Sequence, residues 1–171
     1  YVGVYTVWLK RRYTSNIVIG GAAGAAPVLI GWAAVTSGLG WAPWLLFALI
    51  FFWTPPHFWA LAVKYRDDYA SANVPMLPSV ATLAATARKI LNYTLILVAT
   101  SLLIAPVADL GWVYLVAALV SGGVFVWSAV AVLRSPTPRT AMALFGWSIT
   151  YITVLFGAMA VDQLAGLAWP L

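Results

Sequence analysis

Apolar and polar positions in this chain come in blocks rather than in fine alternation. Apolar stretches of about twenty residues, long enough to cross a bilayer as helices, run roughly over Asn16–Val35, Ala42–Ala62, Ile90–Val107, Trp112–Leu133 and Ala141–Val161. A further stretch, Tyr1–Leu9, is too short to span and is not headed by methionine. It reads as the end of a helix begun upstream, and the chain as a C-terminal part of a longer protein. Its charges follow the apolar run instead of preceding it, the reverse of a signal peptide. The pattern predicts an all-α, polytopic helical membrane protein, with about five complete transmembrane helices plus the end of a sixth. No linker, low-complexity tract or charge block divides it, so residues 1–171 read as a single membrane domain.

Charge adds a direction. If the spans alternate, all nine Lys and Arg residues, from Lys10, Arg11 and Arg12 through Lys64, Arg66, Arg88 and Lys89 to Arg134 and Arg139, fall on one side. The positive-inside rule makes that side cytoplasmic. The basic residues sit in short loops and not in a compact basic domain, so they call for no nucleic-acid partner. Hydrophobic residues make up 64% of the chain and charged residues 8%, which sets it apart from soluble domains. Cysteine is absent, which excludes thiol catalysis, thiolate metal sites and disulfides. Trp41, Trp44, Trp112 and Trp169 are placed to anchor span ends at the interface.

Two segments carry more than a span requires. In the first, Gly20 and Gly24 form a GxxxG pair that lets a helix or a flat ligand approach the backbone, and Pro27 removes an amide from the same helix. In the second, Phe51–Pro78, the span bears Pro55, Pro56 and the only histidine, His57, then runs into Lys64, Arg66, Asp67 and Asp68. Helical spacing puts Trp53, His57, Leu61, Lys64 and, if the helix continues, Asp68 on one stripe. The imidazole then lies ~10 Å below Lys64 at the usual rise. An ionisable group at that depth is a functional candidate, although a neutral histidine bonded to a carbonyl freed by Pro55 or Pro56 fits as well. Carboxylates at Asp67 and Asp68 suit magnesium, which binds through one or two carboxylates plus substrate phosphates, and Lys64 and Arg66 suit the phosphates themselves. A solvated positive-inside loop explains the bases but not the two acids among them. The connection Lys64–Lys89 is long for a compact domain. Its apolar Val74–Pro78 and a short helix over Ser79–Lys89 suggest an ordered cap over the membrane.

Four stretches, YTVWLKRR (Tyr5–Arg12), NIVIGGAAGAAPVLIGWAAVTSG (Asn16–Gly38), WTPPHFWALA (Trp53–Ala62) and DDYASANVPMLP (Asp67–Pro78), resemble the UbiA-type intramembrane prenyltransferases, and among them the branch that acts on haem. The resemblance implies a helical bundle of two pseudo-repeated halves around a cavity open to the cytoplasm, in a bacterial inner membrane. It also implies a reaction, in which farnesyl diphosphate alkylates a vinyl group of haem B and water captures the cation, giving haem O for terminal-oxidase assembly. By the same resemblance Asp68, with Asp67 beside it, is the catalytic, magnesium-holding element. Lys10 and Arg11 match a Tyr-x-x-x-x-Lys-Arg element that faces the diphosphate substrate, and His57 matches a Pro-His that suits a haem role; Asn16, Lys64 and Arg66 are further candidate substrate-binding residues. The implied partners are farnesyl diphosphate, haem B, membrane lipid and, optionally, haem A synthase. A first aspartate-rich motif of that family has no counterpart in these residues. Transfer to another aromatic or tetrapyrrole acceptor, and a non-catalytic haem-binding or transport protein, are the competing readings. The acids at the membrane edge rather than its centre count against transport.

Overall fold

The structure is a computed structural model, and it describes residues 12–166. The chain forms α1 (Asn16–Thr36), α2 (Trp41–Lys64), α3 (Arg66–Ser71), α4 (Leu77–Val80), α5 (Leu83–Val107), α6 (Trp112–Arg134) and α7 (Pro138–Ala165). Five of these, α1, α2, α5, α6 and α7, are long and apolar enough to cross a membrane. The chain is thus a multi-pass, all-helical membrane protein. Tyr1–Leu9, Lys10 and Arg11 lie outside the described residues, as does Trp169.

Helix ends follow local chemistry. Thr82 caps α5 by accepting a hydrogen bond from the Ala85 amide at 3.2 Å. Thr137 and Thr140 form a capping box at the start of α7, with Pro138 at its first position. Ser37 closes α1 in the left-handed region. The cap at Thr82 also corrects one expectation: Ser79–Lys89 is not a separate short helix. It comprises the end of α4 and the first two turns of α5, which carry the exposed Arg88 and Lys89. Hydropathy marks the part of a helix that crosses the membrane, and this helix extends beyond it.

Antiparallel neighbours α2, α5, α6 and α7 pack as a closed ring, α2 on α5, α5 on α6, α6 on α7 and α7 back on α2. Helix α1 packs on α2 and on none of the other long helices. Lipid tails are as apolar as leucine, so such a bundle is held by close packing and internal hydrogen bonds rather than by hydrophobic burial. Small residues accordingly sit at the interfaces: Ala25, Ala60, Ala62, Ala118, Ala129 and Ala141 are fully buried. A Cβ at Gly122 would fall 2.9 Å from Val98, so only glycine lets α5 and α6 approach this closely.

Several polar groups inside the ring are paired, while Trp59 Nε1, Thr94 Oγ1 and Asp162 Oδ1 are buried without a hydrogen bond. The Tyr114 hydroxyl donates to the Ser101 carbonyl and the Tyr151 hydroxyl to the Ser101 Oγ, both at 2.8 Å. At the opposite end from the bases, Asp162 of α7 accepts the Tyr114 amide at 2.8 Å. Tyr114 is the third residue of α6, so a carboxylate from one helix caps the orphan amides of its neighbour. Asp162 is a buried residue of the last helix turn, whereas the apolar pattern ends that span one residue earlier.

Candidate functional site

Alternation of the five helices brings Arg12, Lys64, Arg66, Arg88, Lys89, Arg134 and Arg139 to one end of the bundle. The same end carries α3 and α4, which form an ordered cap. Met76 is buried with Ile17 and Ala62, and Tyr69 and Val74 pack against this small cluster. Ser79 Oγ donates to the Met76 carbonyl at 2.7 Å, holding the turn into α4.

Asp67 and Asp68 occupy the first turn of α3 and are exposed. Helix α2 ends at Lys64 and α3 begins at Arg66, with the Tyr65 backbone outside helical values at ψ 29°. The chain direction is nevertheless kept, because the Tyr69 amide bonds the Tyr65 carbonyl at 3.1 Å. The stripe expected to run from Trp53 to Asp68 is therefore broken at Tyr65 and resumes on a short helix. Lys64, Arg66, Asp67 and Asp68 form no ion pair among the described residues; Lys64 Nζ instead lies 5.3 Å over the Tyr65 ring. Acids and bases packed so closely in sequence yet not neutralising one another remain available to a charged ligand. As a magnesium site, the pair offers two hard oxygen donors, and no group of three metal-binding side chains exists among the described residues. That donor set fits an ion whose remaining positions are filled by phosphate and water.

Arg12 joins this end. With Tyr69, Asn73 and Pro75 it lines a groove of about 440 Å³ beside the cap. It is the last base of a Lys-Arg-Arg run, and that run was the only signal for it in the sequence. Asn16 is buried in the first turn of α1. Lys10 and Arg11 fall outside the described residues.

Below the charged rim, α1 and α2 enclose a cleft of about 550 Å³, within the range of small-molecule sites. Gly20, Ala23 and Gly24 line one wall and Ile50, Trp53, Thr54 and Phe58 the other. The glycine that permits the two helices to touch is Gly21, where a Cβ would stand 3.1 Å from Thr54. At Gly24 a Cβ would meet nothing within 4 Å. Of the two roles open to the GxxxG face, Gly24 fits an open wall and helix packing falls to its neighbour.

His57 stands behind this wall. Its ring is stacked between Trp53, at 4.2 Å, and Phe145 of α7, at 4.5 Å, with Phe58 edge-on at 5.1 Å. Its Nδ1 lies 2.7 Å from Ser148 Oγ, and Trp53 Nε1 donates to the Ser148 carbonyl at 2.9 Å. The histidine is thus tied to α7, not to a carbonyl freed by Pro55 or Pro56. Ser148 had no signal in the sequence, since it lies 91 residues from its partner. Among the aromatic residues near this wall, Trp59 is buried and edge-on to Tyr93 at 5.3 Å, a packing role. Trp53 and Phe58 are the rings that face the cleft.

The chain is similar to known proteins. The chain is 58% identical over 167 residues to the protoheme IX farnesyltransferase of Parafrankia sp. (strain EAN1pec), covering 96% of this chain and 53% of that one. Against the protoheme IX farnesyltransferase of Frankia casuarinae the identity is 59%, over 96% of this chain and 58% of the relative. Against that of Gloeobacter violaceus it is 54%, over 96% and 54%. The chain thus spans about half the length of the curated relatives it matches. A solved structure from work on digeranylgeranylglyceryl phosphate synthase superposes with a TM-score of 0.78 at 16% identity, over 88% of this chain and 53% of that one, a likeness of fold. The model of the UbiA prenyltransferase family matches residues 1–165, and the chain belongs to that family.

Proposed function

We propose that this chain takes part in farnesyl transfer from farnesyl diphosphate to a vinyl group of haem B, giving haem O and pyrophosphate. The observation that carries the reading is the arrangement along α2, with an aromatic cleft below and a charged rim above that forms no ion pair among the described residues, in a chain more than half identical to named protoheme IX farnesyltransferases. A prenyl tail and a flat macrocycle suit the cleft, and a diphosphate suits the rim. The allylic carbon–oxygen bond breaks with its electron pair leaving on the diphosphate, and the vinyl π electrons form the new carbon–carbon bond. Water then adds to the resulting cation and releases a proton.

Such a reaction needs stabilisation of the departing charge more than a protein nucleophile. Lys64, Arg66 and Arg12 supply positive charge at the rim, and Lys10 and Arg11, which precede Arg12 in the sequence, would add to it. Asp67 and Asp68 would hold magnesium, which supplies further neutralisation of the diphosphate when bound. Trp53 and Phe58 present ring faces to the region where the allylic cation develops. By the positive-inside rule the rim faces the cytoplasm.

The test is a chimera joining this chain to the remaining half of a full-length relative, assayed in membranes for haem O. We expect magnesium-dependent haem O formation, and for Asp68→Asn a loss of about a hundredfold or more. Transfer only to a quinone precursor would sink the haem assignment. Normal turnover and metal dependence in Asp68→Asn would remove Asp68 from the metal site.

A further inference from the structure

Two residues beyond His57, and so on the opposite face of α2, Trp59 walls a second recess, of about 390 Å³. Thr14 and Ser15 line it from the turn before α1, and Lys89, Asn92 and Tyr93 from one face of α5. None of these residues lines the α1–α2 cleft or the groove at Arg12. Each carries a hydroxyl, an amide, an ammonium or an indole N–H, and the whole lining holds one cation and no acid.

These groups are not spent on one another. Among the described residues, the side chains of Thr14, Ser15, Lys89 and Asn92 form no hydrogen bond or ion pair. The Trp59 indole N–H is buried without a hydrogen bond. A lysine placed by the positive-inside rule alone needs only water around it, and that rule asks for no hydroxyls or amide beside it.

The level of the recess is equally telling. Lys89 lies six residues into α5 from Leu83, and Trp59 five residues before the end of α2 at Lys64. Both therefore sit ~8–9 Å in from the charged end. Lys89 is also the last charged residue before the apolar run that begins at Ile90, which is where lipid head groups give way to chains. Ile96, on the same stripe of α5 as Lys89 and Asn92, is 44% exposed, and Ile19, one turn past Ser15, is 48% exposed. The surface thus passes from polar to apolar in the order that a lipid does.

We infer that this recess binds the head group of an anionic phospholipid. The Lys89 ammonium meets the phosphate charge, Asn92 and the hydroxyls bond its oxygens, and the acyl chains run over Ile19 and Ile96. Basic pockets between spanning helices on the cytoplasmic side suit such head groups. A free phosphate offers the same charge but makes no use of the apolar track.

The test uses the chimera described above, purified in detergent, with bound lipids counted by native mass spectrometry during titration with phosphatidylglycerol or phosphatidylcholine. The wild type should hold one phosphatidylglycerol that phosphatidylcholine does not replace. Lys89→Gln should weaken that site about fivefold, the effect of one basic side chain near the surface. Asn92→Leu should weaken it about threefold with no change of charge. Arg88→Gln removes the same charge one position away, outside the recess, and should leave the site unchanged. All three side chains are exposed, so the variants should share the wild-type thermal midpoint. Equal losses in Arg88→Gln and Lys89→Gln would overturn the recess and leave only the general field of the rim. Equal retention of the two lipids would overturn recognition of the anionic head. Displacement of the lipid by millimolar inorganic phosphate would overturn a lipid as the occupant. None of these readouts depends on farnesyl transfer.

Discussion

The two ends of the bundle treat charge in opposite ways. At one end Asp162 is buried, hydrogen-bonded to the Tyr114 amide, and bound up in holding α6 to α7. At the other, Asp67 and Asp68 stand exposed among bases and form no ion pair among the described residues. A carboxylate inside a membrane protein is by default a functional candidate, and this pair of sites shows what refines that default. The deeply buried acid takes a backbone donor on Oδ2, with Oδ1 left without a hydrogen bond, and belongs to the architecture. The exposed acids form no ion pair among the described residues, which leaves them open to a charged ligand.

The sharpest way to break the comparison is through topology, where the outcome is all or none. Cysteines introduced at the exposed Ser71 and Ser135 should label from the side opposite to one at Ser37, in a chain with no cysteine of its own. Labelling of Ser71 and Ser37 from the same side would mean that the two ends do not lie across the membrane from each other. Next in size is the stability of the quiet end. Asp162→Ala should cost about 1–3 kcal/mol by leaving the Tyr114 amide unpaired, read as a lower thermal midpoint in detergent. Haem O formation per folded molecule in the chimera should stay the same. A large loss of turnover at unchanged midpoint would move Asp162 into the chemistry and erase the contrast.

The smallest effects come from the glycines of α1, and their signs should differ. Gly21→Ala should lose about 1 kcal/mol by crowding Thr54, because its Cβ would sit 3.1 Å away. Gly24→Ala meets open space and should gain up to about 1 kcal/mol in helix propensity, while narrowing the cleft. Equal effects at both positions in a thermal unfolding series would show that the two faces of α1 are not distinct.

Most of the fold was legible because membrane spans announce themselves locally. Each of the five twenty-residue apolar blocks became a helix, and the boundaries differ where a helix outruns the apolar stretch, as at Leu83, where Arg88 and Lys89 hide two turns of α5 from hydropathy. The charged rim was legible for the same reason, being one contiguous segment. What stayed hidden was everything made by pairing distant helices. The GxxxG pattern points to Gly20 and Gly24, but the close approach falls on Gly21, because which face of α1 meets α2 is decided by Thr54 and not by the motif. The partner of His57 was out of reach too: a proline two residues away offered a plausible local carbonyl, and the hydroxyl that binds it comes from α7.

That long separation has a consequence for how the protein is made. The ring is closed by α2 and α7, and of the described helices α7 is the last to leave the ribosome. Until it docks, Ser148 cannot reach across 91 residues to the imidazole, and the first turn of α6 waits for the Asp162 carboxylate. The non-local pairs that tie the histidine to α7 and seal the far end therefore form in the same late step of biogenesis. A nascent chain arrested before α7 has its histidine in place but without the hydroxyl and the ring that hold it, so fixing of the imidazole is coupled to completion of the wall behind it.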